Sequence, residues 1–280
     1  MHGDASMTLS GTRFTSIAAV GIAIVLAFVG TAALAPWVAS HDPNALIGQR
    51  WEGPTATHWL GLDHLGRDMF SRLIYGGRVS ITLALLATLM AFAFGLVAGL
   101  IAAIFGRWAD IVLSGIADVI LSVPVPISAL IVIAAFGSSP RVLVVTIGVL
   151  YSFVVFRVVR GAAIRIVSLE YVEAARLRGE SAIWVIRREI LPNTLVPLAA
   201  EFGLRFCFAL LLIAGLSFLD LGVAPPDLDW GSMVKDNALA IPAGVAAPLY
   251  PALAIALLAG GVNMVVDWLR SLHEPHGDVA

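Results

Sequence analysis

Charge is scarce in this chain. Asp, Glu, Lys and Arg together make up 13% of its 280 residues, against about 25% in an ordinary soluble domain. With 59% hydrophobic residues and a mean hydropathy of +0.93, the chain has too little polar surface to face water all round. Lysine is almost missing. Sixteen arginines stand beside the single Lys235, which is flanked by Val234 and Asp236. A phosphate-binding Gly-x4-Gly-Lys-[Ser/Thr] loop needs its lysine on the β/γ-phosphates, so nucleotide hydrolysis by this polypeptide is excluded. Cysteine is reduced to Cys207, inside an apolar run. No intrachain disulfide can form, and the residue reads as a small buried hydrophobe, because no neighbour favours a thiolate. A formal net charge of −2 leaves no concentrated basic patch for nucleic acid. Neither a His-Glu-x2-His zinc helix nor a Gly-x-Ser-x-Gly nucleophile elbow occurs. The tetrapeptide His273-Glu274-Pro275-His276 has the wrong spacing for a helical metal site and reads as solvated tail.

Long apolar runs are what the chain has instead. Crossing a ~30 Å hydrocarbon core takes about 20 apolar residues at 1.5 Å each. Six stretches meet or approach that: Ile17–Val38, Val79–Phe105, Ile111–Phe136, Val142–Val159, Leu195–Leu219 and Val245–Val266. Arg13 and the run that follows mimic a secretory signal, but 22 residues exceed the about 7–15 of a signal core, so the segment reads as a retained anchor. Trp37, Trp108 and Trp268 stand at span ends, where amphipathic rings favour the interface. The fourth span is short, and snorkelling of Arg157 and Arg160 toward headgroups would extend it. Pro124 and Pro126 in the third span, and Pro242, Pro248 and Pro251 near the sixth, mark kinks or helix starts. The expected fold is all-α: one six-span bundle over residues 17–270, between a cytoplasmic segment 1–16 and a tail 271–280. It shows no internal repeat.

Orientation follows from the arginines. The segment after span four carries Arg157, Arg160, Arg165, Arg176, Arg178, Arg187 and Arg188 against four acids, whereas 220–237 carries four aspartates and one lysine. The positive-inside rule places the first in the cytoplasm and the second outside. Loop 160–194 is then cytoplasmic, loops 39–78 and 220–244 are external, and both termini are cytoplasmic. Arg50, Arg67, Arg72 and Arg78 in the first external loop are balanced by Asp42, Glu52, Asp63 and Asp68.

Within 160–194 the pattern predicts two short helices joined at a glycine. Ser168 is placed to cap the first, and Glu170 lies in its first turn, where the helix dipole favours a carboxylate. Gly179 suits the left-handed residue that ends a helix. Ser181 is placed to cap the second helix and Pro192 to close it. Ala174 and Ala175 are small enough for a partner to approach the backbone, with Arg176, Arg178, Arg187 and Arg188 ringing the contact. Read from the residues alone, an amphipathic linker lying on lipid headgroups fits as well as a docking element.

The spacing Glu173-Ala174-Ala175-x3-Gly179-x11-Leu191-Pro192 resembles the EAA loop of prokaryotic ABC-importer permeases. Glu189 stands where that family usually has an isoleucine. The run from His58 through Asp63, Gly66, Arg67, Asp68, Ser71, Arg72, Gly76 and Arg78 to Ser80 resembles the segment before span two in C-type permeases of dipeptide, oligopeptide and nickel importers. Leu216 to Met233, with Gly222, Pro225, Pro226, Trp230 and Gly231, resembles the segment after their fifth span; Asp118 with Leu121, Ser122 and Pro124 fits their third. The resemblance covers about residues 58–270; the ending Arg270 to Pro275 departs from it. It implies a type I (MetI-like) permease of a bacterial inner membrane. Expected partners are a second permease, two ATP-binding subunits or one fused chain, and an external substrate-binding protein. ATP and Mg would sit on the ATPases, with no cofactor on this chain. Glu173, Ala174, Ala175, Gly179, Leu191 and Pro192 would then form the coupling element, with Glu173 holding it by pairing with an arginine.

Three intramembrane charges complete the candidate residues. Glu201 and Arg205, one turn apart in the favourable order, read as a self-neutralised pair rather than a substrate contact. For Asp118, packing against Arg157 or Arg160 and lining a pathway both stay open. A secondary transporter or channel working without nucleotide would need ion-relaying charges and inverted repeats, and an intramembrane enzyme would need a mid-span catalytic constellation; neither pattern is visible.

Overall fold

The computed structural model describes residues 5–271; the tail tetrapeptide from His273 to His276 lies outside the described residues. The chain runs through α1 (Ala5–Ala33), a short α2 (Ala35–Val38), α3 (Met69–Phe105), α4 (Arg107–Leu121), α5 (Val125–Phe136), α6 (Pro140–Val167), α7 (Glu170–Leu177) and α8 (Ala182–Val185). A π-helical turn (Ile186–Ile190) leads into α9 (Leu191–Phe218), followed by α10 (Trp230–Asp236), a 3-10 turn (Ala238–Ala240) and α11 (Leu249–Ser271). Among the described residues the only β feature is an isolated bridge between Leu62 and Asp68.

Five helices are long and apolar enough to cross a membrane: the Ser16–Ala33 part of α1, α3, α6, the continuous stretch Ala182–Phe218, and α11. The third expected span, Ile111–Phe136, is not one straight helix. It is broken into α4 and α5, which meet at 78°. The break falls where proline chemistry puts it. Pro124 caps α5 with an extended ψ of 131°, lacks an N–H to continue the ladder, and biases Val123 away from helical geometry. Pro126 then sits in the first turn of α5, where a missing donor is harmless.

Other helix ends also depart from the apolar runs. α1 starts well before Ile17 and breaks at Leu34, with Pro36 in the first turn of α2. α3 starts well before Val79 because Asp68 caps it, accepting the Ser71 N–H at 2.8 Å. Its 37 residues extend about 55 Å, so one end projects well beyond the hydrocarbon. α11 starts at Leu249, after Pro248 and with Pro251 in its first turn.

α3 and α6 form the central pair. α3 turns a stripe of small residues to its partner, including Ala84, Ala87, Ala91, Gly95 and Gly99. A Cβ on Gly95 would stand 2.6 Å from the Ser152 carbonyl oxygen, and one on Gly99 2.7 Å from the Val159 side chain. The backbones therefore approach as closely as small residues permit, which is how apolar helices gain packing when lipid supplies no hydrophobic drive. α1, α9 and α11 pack around this pair, while α4 covers one side of α6 through Ala102, Ala117 and Phe156. Two ends result: an elbow end, carrying residues 168–190, and a cap end, built from 39–68 and 219–248.

Candidate functional site

The elbow joins α6 to α9. Its first helix, α7, turns Val172 and Ala175 inward, both fully buried, and Val185 and Ile190 bury the second arm in the same core as the spans. The outer face carries Tyr171, Ala174, Leu177 and Ile183, with Leu177 83% and Ile183 62% exposed. Arg176, Arg178, Arg187 and Arg188 surround it, all exposed. This is an apolar knob in a basic ring, held on a rigid base.

The turn between the arms is built by hydrogen bonding. The Gly179 N–H donates to the Arg176 carbonyl (2.9 Å) and the Glu180 N–H to the Ala175 carbonyl (3.2 Å), the two bonds of a Schellman ending. Gly179 has φ +86°, and a Cβ there would meet nothing within 4 Å. Glycine is required by the left-handed backbone rather than by crowding. Ser181 caps α8 as expected, accepting the Trp184 N–H at 3.2 Å.

Three expectations for the elbow fail. Leu169, not Ser168, occupies the cap of α7, and the Ser168 hydroxyl bonds back to the Arg165 carbonyl at 2.9 Å, a local alternative open to serine. Glu173 pairs with no arginine among the described residues; it lies exposed in the first turn of α7. Pro192 does not close a helix. It sits in the first turn of α9, and the chain passes through it by widening one turn. The Leu191 N–H reaches the Ile186 carbonyl, five residues back, so the ladder is already out of register where the proline offers no donor. Carbonyls around this turn are taken by side chains: Asn193 Nδ2 donates to Glu189 O (2.6 Å) and Thr194 Oγ1 to Ile190 O (2.9 Å).

Beside the elbow lie the intramembrane charges. Arg205 Nε and Glu201 Oε1 form a 2.7 Å pair, mostly buried, with the Arg205 guanidinium 4.8 Å from the Phe208 ring and 5.7 Å from the Tyr151 ring. Asp118 pairs with Arg157 (2.5 Å) and not with Arg160. Arg160 instead holds Asp110 with both Nε and Nη2, the latter at 2.6 Å. Arg157 and Arg160 thus tie α6 to α4. Cys207 is buried, its Sγ 3.7 Å from the Ala259 carbonyl oxygen.

At the cap end, Asp63 is completely buried. It accepts the N–H groups of Leu65 and Arg67 (2.8 and 2.9 Å) and pairs with the side chains of Arg67 (2.8 Å) and Arg72 (3.1 Å). Asn237 joins the two cap loops: its Oδ1 accepts the His64 N–H (3.0 Å) and the Trp51 indole N–H (3.3 Å). Trp230, 2% exposed, lies against Gly77 and donates its indole N–H to the Leu73 carbonyl (2.9 Å), while its backbone N–H reaches Ser80 Oγ (3.0 Å). Between the loops opens a cleft of about 660 Å³ whose lining includes Arg67, Arg72, Asp220, Lys235 and Asp236.

Sequence reasoning missed the Asp110–Arg160 pair and the π turn. Asp110 falls in the first turn of α4 just after Gly106, a position that favours an acid, and that was the available signal. Nothing local announces the π turn beyond Pro192 itself.

Comparison with known proteins accounts for this arrangement. Residues 95–276 match the family described as binding-protein-dependent transport system inner membrane component. The chain is 35% identical over 260 residues to the dipeptide transport system permease protein DppC of Alkalihalophilus pseudofirmus, covering 92% of this chain and 86% of that one. It is 33% identical over 268 residues to the probable D,D-dipeptide transport system permease protein DdpC of Escherichia coli, covering 95% and 89%. To the glutathione transport system permease protein GsiD of Pectobacterium atrosepticum it is 34% identical over 224 residues, covering 80% and 74%. The chain belongs to the family of binding-protein-dependent transport system inner membrane components, and it is a permease subunit of an ABC importer.

Proposed function

We propose that this chain is one of two related permeases that together form the path for a peptide or similar small solute. A separate external protein delivers the solute, and two ATP-binding subunits, or one fused chain, drive its passage. The elbow end lies in the cytoplasm with both termini and the cap end lies outside, as the arginine distribution indicates. ATP and Mg belong to the partner subunits, and this chain has no catalytic role.

The observation that carries this reading is the elbow. Its apolar knob is exposed while its inner face is packed into the bundle core, so a push on the knob reaches α6 and α9 rather than being lost in a loose loop. Closure of the ATPase pair would move the knob, and the bundle would switch from opening inward to opening outward. Ala174 and Leu177 provide the contact, Gly179 the bend, and Leu191 with Pro192 the junction to α9. Substrate choice is assigned to peptides because the relatives are named for dipeptide and glutathione transport.

The test places a single cysteine at Leu177 in a Cys207→Ala background and cross-links the membrane complex. Leu177→Cys should join an ATP-binding subunit and resist a membrane-impermeant maleimide added from outside. Labelling from outside, or cross-links to lipid alone, would end this assignment.

A further inference from the structure

Away from the elbow, three unsatisfied side-chain atoms converge at the root of the 39–68 segment. Asp68 caps α3 through Oδ2, which takes the Ser71 N–H at 2.8 Å. Its other oxygen, Oδ1, is buried with no hydrogen-bond partner, in a side chain only 1% exposed. The Nδ1 atoms of His41 and His58 are buried and likewise without a hydrogen bond. His58 Nδ1 lies 3.4 Å from Asp68 Oδ1 and His41 Nδ1 lies 3.9 Å from Oδ2. The two imidazole rings are 4.9 Å apart between centroids, and one ligand atom from each of the three residues falls within 4.8 Å of the others.

We propose that His41, His58 and Asp68 bind a divalent transition-metal ion of the zinc class. Two neutral imidazoles and one carboxylate are a donor set for zinc and its neighbours, whereas magnesium and calcium take oxygen ligands almost alone. Bonds of about 2.0–2.2 Å in a tetrahedral shell place donors roughly 3.4 Å apart, so the His58–Asp68 spacing already fits and His41 must move inward by about an ångström. His41 has the room, its side chain being about one-third exposed. Its backbone is held beside the site by the His41 N–H bonded to Ser71 Oγ at 3.1 Å. The fourth position is left to water or an incoming donor.

The ion has a structural consequence. No helix lies between Val38 and Met69, and a ligand at each end of that stretch would close it against the start of α3. Metal binding to the folded state then stabilises the segment, and the ligands must be deprotonated to bind. The His-Asp-cap arrangement also accounts for three buried polar atoms that the protein's own hydrogen bonds leave unmatched, a situation native structures seldom tolerate.

The experiment uses the full chain purified in detergent through a tag without histidine, with the three terminal histidines replaced (His2→Ala, His273→Ala, His276→Ala) to remove competing ligands. Zn²⁺ is titrated calorimetrically and Co²⁺ is followed by its visible d–d absorption. The expected result is one equivalent of Zn²⁺ and a tetrahedral Co²⁺ spectrum, with affinity lowered about a hundredfold or more by His58→Gln and by His41→Asn. Asp68→Asn keeps an N-cap acceptor, so α3 stays capped, yet it should weaken Zn²⁺ in the same way. Zn²⁺ should also slow proteolysis between residues 41 and 68. Absence of stoichiometric Zn²⁺ binding, or binding that Asp68→Asn and His58→Gln leave unchanged, would overturn the proposal and reduce the cluster to a His58–Asp68 contact. Neither outcome bears on the transport reading.

Discussion

Arg157 reaches from α6 to Asp118 on α4 and closes a 2.5 Å ion pair, yet 51% of the arginine side chain and 66% of the aspartate side chain remain uncovered. Arg157 lies in a helix long and apolar enough to cross a membrane, and Asp118 in the bent α4–α5 pair that together would make one such span. A charge facing hydrocarbon costs about 2.5–3.5 kcal/mol or more, so this face of the chain is turned to water or to another protein, not to lipid tails. Asp118→Asn should leave Arg157 unpaired and reduce recovery of the proposed second permease with this chain severalfold. The swap Asp118→Arg with Arg157→Asp should restore it. Co-purification from membranes with a tag on this chain measures both; full recovery in Asp118→Asn would show that the pair does not guide assembly.

Gly179 supplies a second prediction. With φ +86° and no neighbour within 4 Å of where a Cβ would stand, substitution costs only the left-handed backbone, about 1–2 kcal/mol for most residues and less for Asn. Gly179→Asn should therefore keep transport near wild type. Gly179→Asp and Glu173→Lys should keep the assembled complex but separate ATP hydrolysis from uptake. The Glu173 effect must come from the partner surface, since its exposed carboxylate pairs with no arginine among the described residues. Parallel ATPase and uptake assays in proteoliposomes are the measurement.

Pro192 and the π turn predict a change of register. Pro192→Ala restores the missing donor, allowing the ladder to close by normal i→i−4 bonds and the extra residue to be absorbed. The elbow would then rotate about the axis of α9 by up to roughly 100°, one residue of a helix. Spin labels at Ile183 and Leu195 should report a shifted distance, and uptake should fall. An unchanged distance distribution would show that the turn is held by its surroundings.

Trp230 is the keystone of the cap. Trp230→Ala should lower stability by about 3–5 kcal/mol, the usual result for a buried aromatic. Trp230→Phe loses mainly the indole bond to Leu73 and should cost nearer to about 1 kcal/mol. The order of thermal unfolding midpoints in detergent tests this.

Asp229, wholly buried, caps α10 and completes a reciprocal box with Ser232. Burial pushes its carboxyl above the ordinary carboxylate range, against the pull of the Ser232 hydrogen bonds. The folded state then holds the proton more tightly than the unfolded chain, so stability declines as pH rises from the ordinary carboxylate value through the raised one. Asp229→Asn keeps the cap and should flatten that decline. Its advantage over wild type should be largest near neutral pH and shrink on acidification. Melting curves from the ordinary carboxylate range up to mildly alkaline pH provide the check, and a parallel shift of both proteins would contradict it.

Much of this was legible in advance because bilayer thickness and helical rise convert apolar length directly into spans. Five of the six expected runs form helices of spanning length, and Pro124 and Pro126 mark where the third run, Ile111–Phe136, breaks. In the elbow, Gly179 and Ser181 act as their chemistry suggests, since caps and left-handed turns are decided by a few neighbouring residues. Glu201 and Arg205 pair because i,i+4 spacing on a helix leaves them little choice.

Contacts between distant segments were another matter. That Arg157 would choose Asp118 and Arg160 would choose Asp110 depended on how α4 lies on α6, and composition is silent on that. The same holds for Asn237 joining Trp51 to His64, and for His41, His58 and Asp68 meeting at one point from both ends of a helix-free stretch. Local sequence sets helix existence, length and ends, because those energies are summed over nearby residues. Packing of small-residue stripes such as Gly95 and Gly99 on α6 sets which polar groups finally meet, and that geometry exists only once the bundle has assembled.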